Sequence, residues 1–181
     1  MKTENAEYVV LVDEQDKELG TMEKMQAHVE GKLHRAVSVF IFNSKHELLL
    51  QKRADEKYHS AGLWTNTCCS HPRPDEAPEP AAHRRLKEEM GLTCNLKFAF
   101  TFIYKAHLDN NLTEHEFDYV YIGTTDNVPK QNPAEVADYK YISVNELDTD
   151  IKQHPAKYTE WFKICHANWH KQLFSKNVHQ D

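Results

Sequence analysis

Ser70-His71-Pro72-Arg73-Pro74-Asp75-Glu76-Ala77-Pro78-Glu79-Pro80-Ala81-Ala82-His83-Arg84-Arg85-Leu86-Lys87-Glu88-Glu89-Met90-Gly91-Leu92 is the stretch that decides the fold. Four prolines break the chain between Pro72 and Pro80, and no further breaker follows until Gly91, so residues 81–90 read as a helix stopped by a glycine. Arg85 and Glu89 are four apart and share one helix face, and Glu88 lies three from Arg85. Taken alone, such a helix is an exposed amphipathic segment with an ordinary Arg/Glu pair. The spacing of Glu76, Arg84, Glu88, Glu89, Gly91 and Leu92 taken together argues for more.

On either side, residues 8–13 read as a strand and residues 23–30 as a short helix ending near Gly31. Residues 35–42 (RAVSVFIF) and 47–53 (ELLLQKR) read as two strands joined by the Asn43-Ser44-Lys45 turn. A loop covers residues 54–62. Further strands are expected over residues 97–107 and 114–123, flanking Asp109-Asn110-Asn111, and over residues 139–143. A C-terminal helix is expected over residues 157–173. Strands, a central helix, more strands and a terminal helix make a mixed α+β pattern rather than regular βαβ winding.

The 181 residues suit a single domain, and 40% hydrophobic with 28% charged residues describes a globular chain. The apolar run Tyr8-Val9-Val10-Leu11-Val12 is far too short for a membrane span or a signal-peptide core. A cytoplasmic protein is therefore expected, with no membrane partner. A net charge of −6 argues against a general nucleic-acid binder. It also requires a local Lys/Arg cluster for any anionic substrate. Cys68, Cys69, Cys94 and Cys165 form no C-x-x-C pair, and Cys94 and Cys165 read as inert buried thiols. Twelve histidines raise the expectation of a metal site without locating it.

The quoted stretch resembles the Nudix signature, G-x5-E-x7-R-E-U-x-E-E-x-G-U with U a bulky apolar residue. Two positions depart from it: Ser70 stands where glycine is expected, and Arg85 where the first glutamate of R-E-U-x-E-E belongs. Several carboxylates there would bind Mg²⁺ ions around a diphosphate and drive hydrolysis. A cation among them weakens metal loading and improves direct attraction to phosphate oxygens, so such a site holds a diphosphate rather than cutting it.

Two further segments narrow the resemblance: Thr65-Asn66-Thr67-Cys68-Cys69-Ser70-His71-Pro72 and Glu114-His115-Glu116. With the helix they resemble the type 1 isopentenyl-diphosphate isomerases, which carry T-N-x-x-C-x-H-P and a downstream E-x-E pair. The likeness runs from about Gly20 to Trp161. It implies a Nudix-type mixed sheet sandwiched by helices, in one domain over residues 1–181. Residues 1–34 would be an extension contributing metal-binding histidines, and the helix at 157–173 would lie over the site.

Glu114 and Glu116 are two apart on an expected strand, so they point to one face, with His115 on the other. Joined by a histidine, they suit a divalent transition metal. The resemblance completes the set as His28, His34, His71, Glu114 and Glu116, too many donors for a tetrahedral structural zinc. Lone histidines are more often surface or packing residues, and His46, His59, His83, His107, His154, His166, His170 and His179 are read that way. The ion is one of Mg²⁺, Mn²⁺ or Zn²⁺, with a further Mg²⁺ at Glu89 brought with the substrate diphosphate. No flavin motif is present.

Transposing an isolated double bond means protonating one carbon and deprotonating another through a tertiary carbocation-like state. The resemblance assigns the two proton-handling groups to Cys69 and Glu116, with Tyr104 hydrogen-bonded near the acid. It assigns diphosphate contacts to Lys24, Arg53, Lys57 and Arg85, and places Trp161 over the hydrocarbon. On an extended segment Cys68 and Cys69 face opposite ways, which makes Cys68 a packing residue. The implied activity is isomerisation of isopentenyl diphosphate to dimethylallyl diphosphate in isoprenoid biosynthesis. A Nudix hydrolase of nucleoside diphosphate derivatives and a non-catalytic metal-binding module remain as alternatives. A monomer is compatible with everything above.

Overall fold

The computed structural model describes residues 7–169. In chain order its elements are strands β1 (Tyr8–Val12) and β2 (Glu18–Glu23), helix α1 (Lys24–Glu30), and strands β3 (His34–Phe42), β4 (Glu47–Arg53), β5 (Trp64–Thr65) and β6 (Cys68–Ser70). Helix α2 (Pro78–Met90) follows, then strands β7 (Leu96–His107), β8 (Thr113–Thr124) and β9 (Val136–Ser143). Helices α3 (Val144–Gln153) and α4 (Glu160–Trp169) come last.

Strand β3 organises the sheet because it is apolar on both faces, as an internal strand must be. It pairs in parallel with β8 from His34↔Glu116 to Phe42↔Thr124, and antiparallel with β6 through Ser38↔Cys69. Alternation then sends its side chains to two separate cores. Val37, Val39 and Ile41 pack with Leu86, Met90, Ala81 and Ala82 of α2, and Phe40 packs with Trp161, Phe162, Cys165 and Trp169 of α4. Each large apolar side chain so buried is worth about 1.5–3 kcal/mol. The sheet is thus held between α2 and α4, a mixed α+β sandwich.

Several boundaries differ from those expected. Helix α2 begins at Pro78, not at 81, because its first positions need no hydrogen-bonded N–H and tolerate proline. Helix α3 has no counterpart among the expected elements, although Ser143 and Glu146 form the capping box that starts it. The C-terminal helix begins at Glu160 rather than 157. Lys157 instead ends a 3₁₀ turn, and Tyr158 is extended (φ −116°, ψ 147°) and bridges to Trp64. Residues 170–173 of the expected helix, like His170 and His179, lie outside the described residues. No helix among the described residues is long and apolar enough to cross a membrane.

Candidate active site

The starts of β3 and β8 and the ends of β4 and β6 meet at one end of the sheet, around a cavity of about 570 Å³. Alternation decides which side chains reach it. Cys68 is fully buried in the core under α2, whereas its neighbour Cys69 packs on the opposite face and lines the cavity. Tyr104, His71, Glu114, Glu116, Trp161, Lys24, Arg53, Lys57, Arg85 and Glu89 line it too. Of the candidate catalytic, substrate-binding and metal-binding residues, only His28 and His34 are not on its wall; both are fully buried.

Each of these two histidines donates its Nδ1 proton to a nearby carbonyl, His28 to Lys24 O at 2.7 Å and His34 to Lys32 O at 2.8 Å. A carbonyl can only accept, so in the neutral ring Nε2 carries the lone pair. Both Nε2 atoms are buried without a hydrogen-bond partner. The His71 ring centroid lies 5.0 Å from that of His34 and 5.6 Å from that of His28, and His71 Nε2 is 2.9 Å from Glu116 Oε1. Donor atoms of His28, His34, His71 and Glu116 all lie within 4.8 Å of one another. Burial drives His34 down to about 3 and His71 well below an ordinary imidazole, so both rings are neutral, as metal ligands must be. Carbonyl-oriented imidazoles with orphaned inner nitrogens and a carboxylate fit a divalent transition ion.

Glu114 falls in a second group, with His28 and His59. Tyr104 O–H reaches both carboxylates, 2.6 Å from Glu116 Oε2 and 3.0 Å from Glu114 Oε2, but its one proton satisfies them only in part. Burial, and after it the Glu116 charge, pushes Glu114 well above the usual carboxylate range. Burial likewise raises the Cys69 thiol, Arg53 acting against it. Two buried carboxylates on one strand face call for a cation or a proton.

On the far side of the cavity the cations stand against carboxylates. Lys24 pairs with Glu7 and Lys57 with Glu135. Arg85 lies 2.7 Å from Glu88, 2.6 Å from Glu89 and 3.6 Å from Glu135. Glu89 also accepts from Gln51 Nε2 at 2.8 Å. Among the described residues Arg53 makes no ion pair; its guanidinium sits 5.0 Å above the Trp161 ring and donates to the His59 carbonyl. Arg84 forms a two-pronged contact with Glu76 at 2.7 Å, tying the loop before α2 to the helix. That contact is the physical content of the seven-residue gap between them.

Four residues of this region escaped the sequence reading. His59, expected as a surface or packing residue, is 4% exposed and stands in the cavity wall. Glu7 and Glu135 reach the site through pairings no local pattern announces. Asp118 continues the Glu114/Glu116 face and accepts from Ser38 Oγ at 2.7 Å, a signal that alternation alone could have supplied.

The NUDIX domain family profile matches residues 32–162. Isopentenyl-diphosphate Delta-isomerase of Pectobacterium atrosepticum is 57% identical over 159 residues, covering 88% of this chain and 89% of its own. Isopentenyl-diphosphate Delta-isomerase 1 of Aromatoleum aromaticum is 54% identical over 157 residues, covering 87% and 89%. Among solved structures, DR0079 of Deinococcus radiodurans matches with a TM-score of 0.73 at 19% identity, covering 87% of this chain and 96% of its own, a likeness of fold. By its domain and by these relatives, the chain belongs to the isopentenyl-diphosphate Delta-isomerases, a family of NUDIX-domain proteins.

Proposed function

We propose that this chain interconverts isopentenyl and dimethylallyl diphosphate, with Cys69 and Glu116 as its two proton-handling groups. The observation that carries the reading is their convergence on one cavity that also holds the cationic side chains. Protonation of the terminal alkene carbon leaves a tertiary cation, and loss of a proton from the carbon on its other side gives the allylic product. Burial keeps the Cys69 thiol and the Tyr104 phenol protonated at neutral pH. Tyr104 holds its proton between Glu114 and Glu116 and orients the carboxylate that exchanges with substrate. Trp161 forms an apolar wall for the hydrocarbon, and its π face suits a developing cation.

His28, His34, His71, Glu114 and Glu116 would hold a divalent ion, Zn²⁺ or Mn²⁺ by donor chemistry. Bound there, the ion would offset the negative charge of the buried Glu114/Glu116 pair. Lys24, Arg53, Lys57 and Arg85 would take the diphosphate, and Glu89 would hold the Mg²⁺ that accompanies it. Each of these cations except Arg53 exchanges a carboxylate partner for phosphate on binding. A cytoplasmic setting agrees with four unpaired cysteines. The hydrolase alternative loses ground to Arg85, whose guanidinium neutralises Glu88 and Glu89, the acidic pair such chemistry requires.

Metal-loaded protein incubated with isopentenyl diphosphate in D₂O and followed by proton NMR tests the proposal. Deuterated dimethylallyl diphosphate is expected. An unchanged substrate spectrum, with folding and metal content verified, would overturn it.

A further inference from the structure

We propose that Thr159 is a positioning residue that, through Thr65 and Asn66, sets Trp161 against Cys69 for the isomerisation; the inference rests on the roles given above to those two side chains. Asn66 and Thr67 interrupt the sheet between β5 and β6. Thr65, Asn66, Thr67 and Thr159 are all buried, so the backbone groups freed by the break must find side-chain partners rather than water. Asn66 Nδ2 donates to Cys68 O at 2.7 Å and to Val39 O at 3.2 Å, and carbonyls can only accept. Asn66 Oδ1 is therefore the accepting end of the amide, and the single proton of the Thr65 hydroxyl goes to it at 2.9 Å. Thr65 Oγ1, its proton spent, accepts from Thr159 Oγ1 at 3.0 Å. The chain of hydrogen bonds thus runs one way, from Thr159 to the Cys68 carbonyl.

Each end of that chain carries a residue of the site. Asn66 holds the carbonyl of the Cys68–Cys69 peptide. Thr159 stands immediately before α4: its N–H donates to Trp64 O at 3.0 Å, its carbonyl accepts from Lys163 N–H at 3.2 Å, and Trp161 lies in that first turn. The bridge from Tyr158 to Trp64 brings the start of α4 to β5, and the hydroxyl chain passes that placement on to the peptide that carries Cys69. Trp161 and Cys69 pack in one apolar cluster and both line the cavity. A cation formed between them depends on their spacing, since misplacement by about 1 Å can cost ~10²-fold in rate. None of the chain's hydrogen bonds touches Lys24, Lys57 or Arg85, so its loss should fall on turnover and spare diphosphate binding.

The test compares full-length, metal-loaded wild type with Thr159→Val, which keeps the shape and loses the hydroxyl, and with Thr159→Ser, which keeps the hydroxyl. Turnover of isopentenyl diphosphate is read beside the inhibition constant of inorganic diphosphate, which reports on the cationic wall alone. Thr159→Val should lower kcat at least about fivefold, with KM and that inhibition constant within about twofold of wild type, and Thr159→Ser should recover most of the loss. Three results overturn the inference: a smaller loss in the valine variant, a serine variant no faster than it, or a weakening of diphosphate binding as large as the loss of turnover. Should Thr159→Val fail to fold, Thr159→Ala and Thr159→Ser, which differ only in the hydroxyl, decide the matter, and equal kcat in the two overturns it. Turnover that survives in Cys69→Ala overturns the reading of Cys69 and this inference with it. An inactive Cys69→Ala beside a fully active Thr159→Val removes this inference alone.

Discussion

Helices α1 and α2 both end on a glycine in the left-handed region, Gly31 at φ 62° and Gly91 at φ 64°, yet the same substitution at the two should have different consequences. A Cβ at Gly31 would meet nothing closer than Thr113 Cγ2 at 3.4 Å, an ordinary contact. At Gly91 it would stand 2.6 Å from the Lys130 carbonyl oxygen and 2.9 Å from Lys130 Cβ. Lys130 cannot simply withdraw, because its N–H donates to Met90 O at 2.8 Å and Asn132 N–H donates to Glu89 O at 2.8 Å. The left-handed conformation costs alanine ~1–2 kcal/mol, less ~0.4–1 kcal/mol returned by a stiffer unfolded chain. Gly31→Ala should therefore lose about 1 kcal/mol. Gly91→Ala adds ~1–3 kcal/mol of overpacking. At ~2–4 °C per kcal/mol, its Tm should fall roughly 5 °C further than that of Gly31→Ala. Asparagine separates the two causes, since it enters the left-handed region readily but still carries a Cβ. Gly31→Asn should melt near the wild type and Gly91→Asn well below it. Calorimetry of the four variants is the assay. Equal losses at the two glycines would refute the reasoning.

Ser38→Ala removes the donor to Asp118 Oδ2 while Oδ1 is already buried without a partner, and should cost ~1–3 kcal/mol in urea denaturation; a loss under ~0.5 kcal/mol would refute it. The Arg84 hydrogen bond holds the Glu76 carboxyl below its usual range, so its stabilisation is present above about pH 4.5 and lost as pH falls through the lowered value. The Tm gap between wild type and Glu76→Gln should accordingly close below pH 4.5, and a gap constant from pH 7 to 3 would contradict this. Cys69→Ala and Glu116→Gln should each lower kcat at least ~10²-fold with folding retained, and substantial turnover in either removes that residue from its role. Arg85→Glu should raise KM for the diphosphate about tenfold or more by setting a fourth carboxylate beside Glu88, Glu89 and Glu135; unchanged kinetics would count against its contact with substrate.

Local patterns in the sequence carry part of the fold. The helix before Gly91 follows from a proline-rich entry, an unbroken run and a glycine stop, and the opposed faces of Cys68 and Cys69 follow from strand alternation. Local rules also explain the errors. Pro78 and Pro80 read as breakers by local rules, although the first turn of a helix has free N–H positions and accepts proline. Helix α3 is ten residues long with one fully buried side chain, Leu147, and its capping box is the local signal that announces it. His59 carried no signal, because a single histidine in a loop looks the same whether it faces solvent or a carboxylate.

The sequence by itself determined the family, the mixed α+β class and the kinds of donor available, because spacing along one helix or strand sets which neighbours share a face. Only the tertiary structure decided that β3 and β8 run in parallel, bringing His34 opposite Glu116. It alone turned the His28 and His34 rings inward by tying their outer nitrogens to carbonyls, and drew His59 in beside Glu114. Those contacts join residues tens of positions apart. They depend on which buried surfaces find each other, and no periodicity within a segment encodes that.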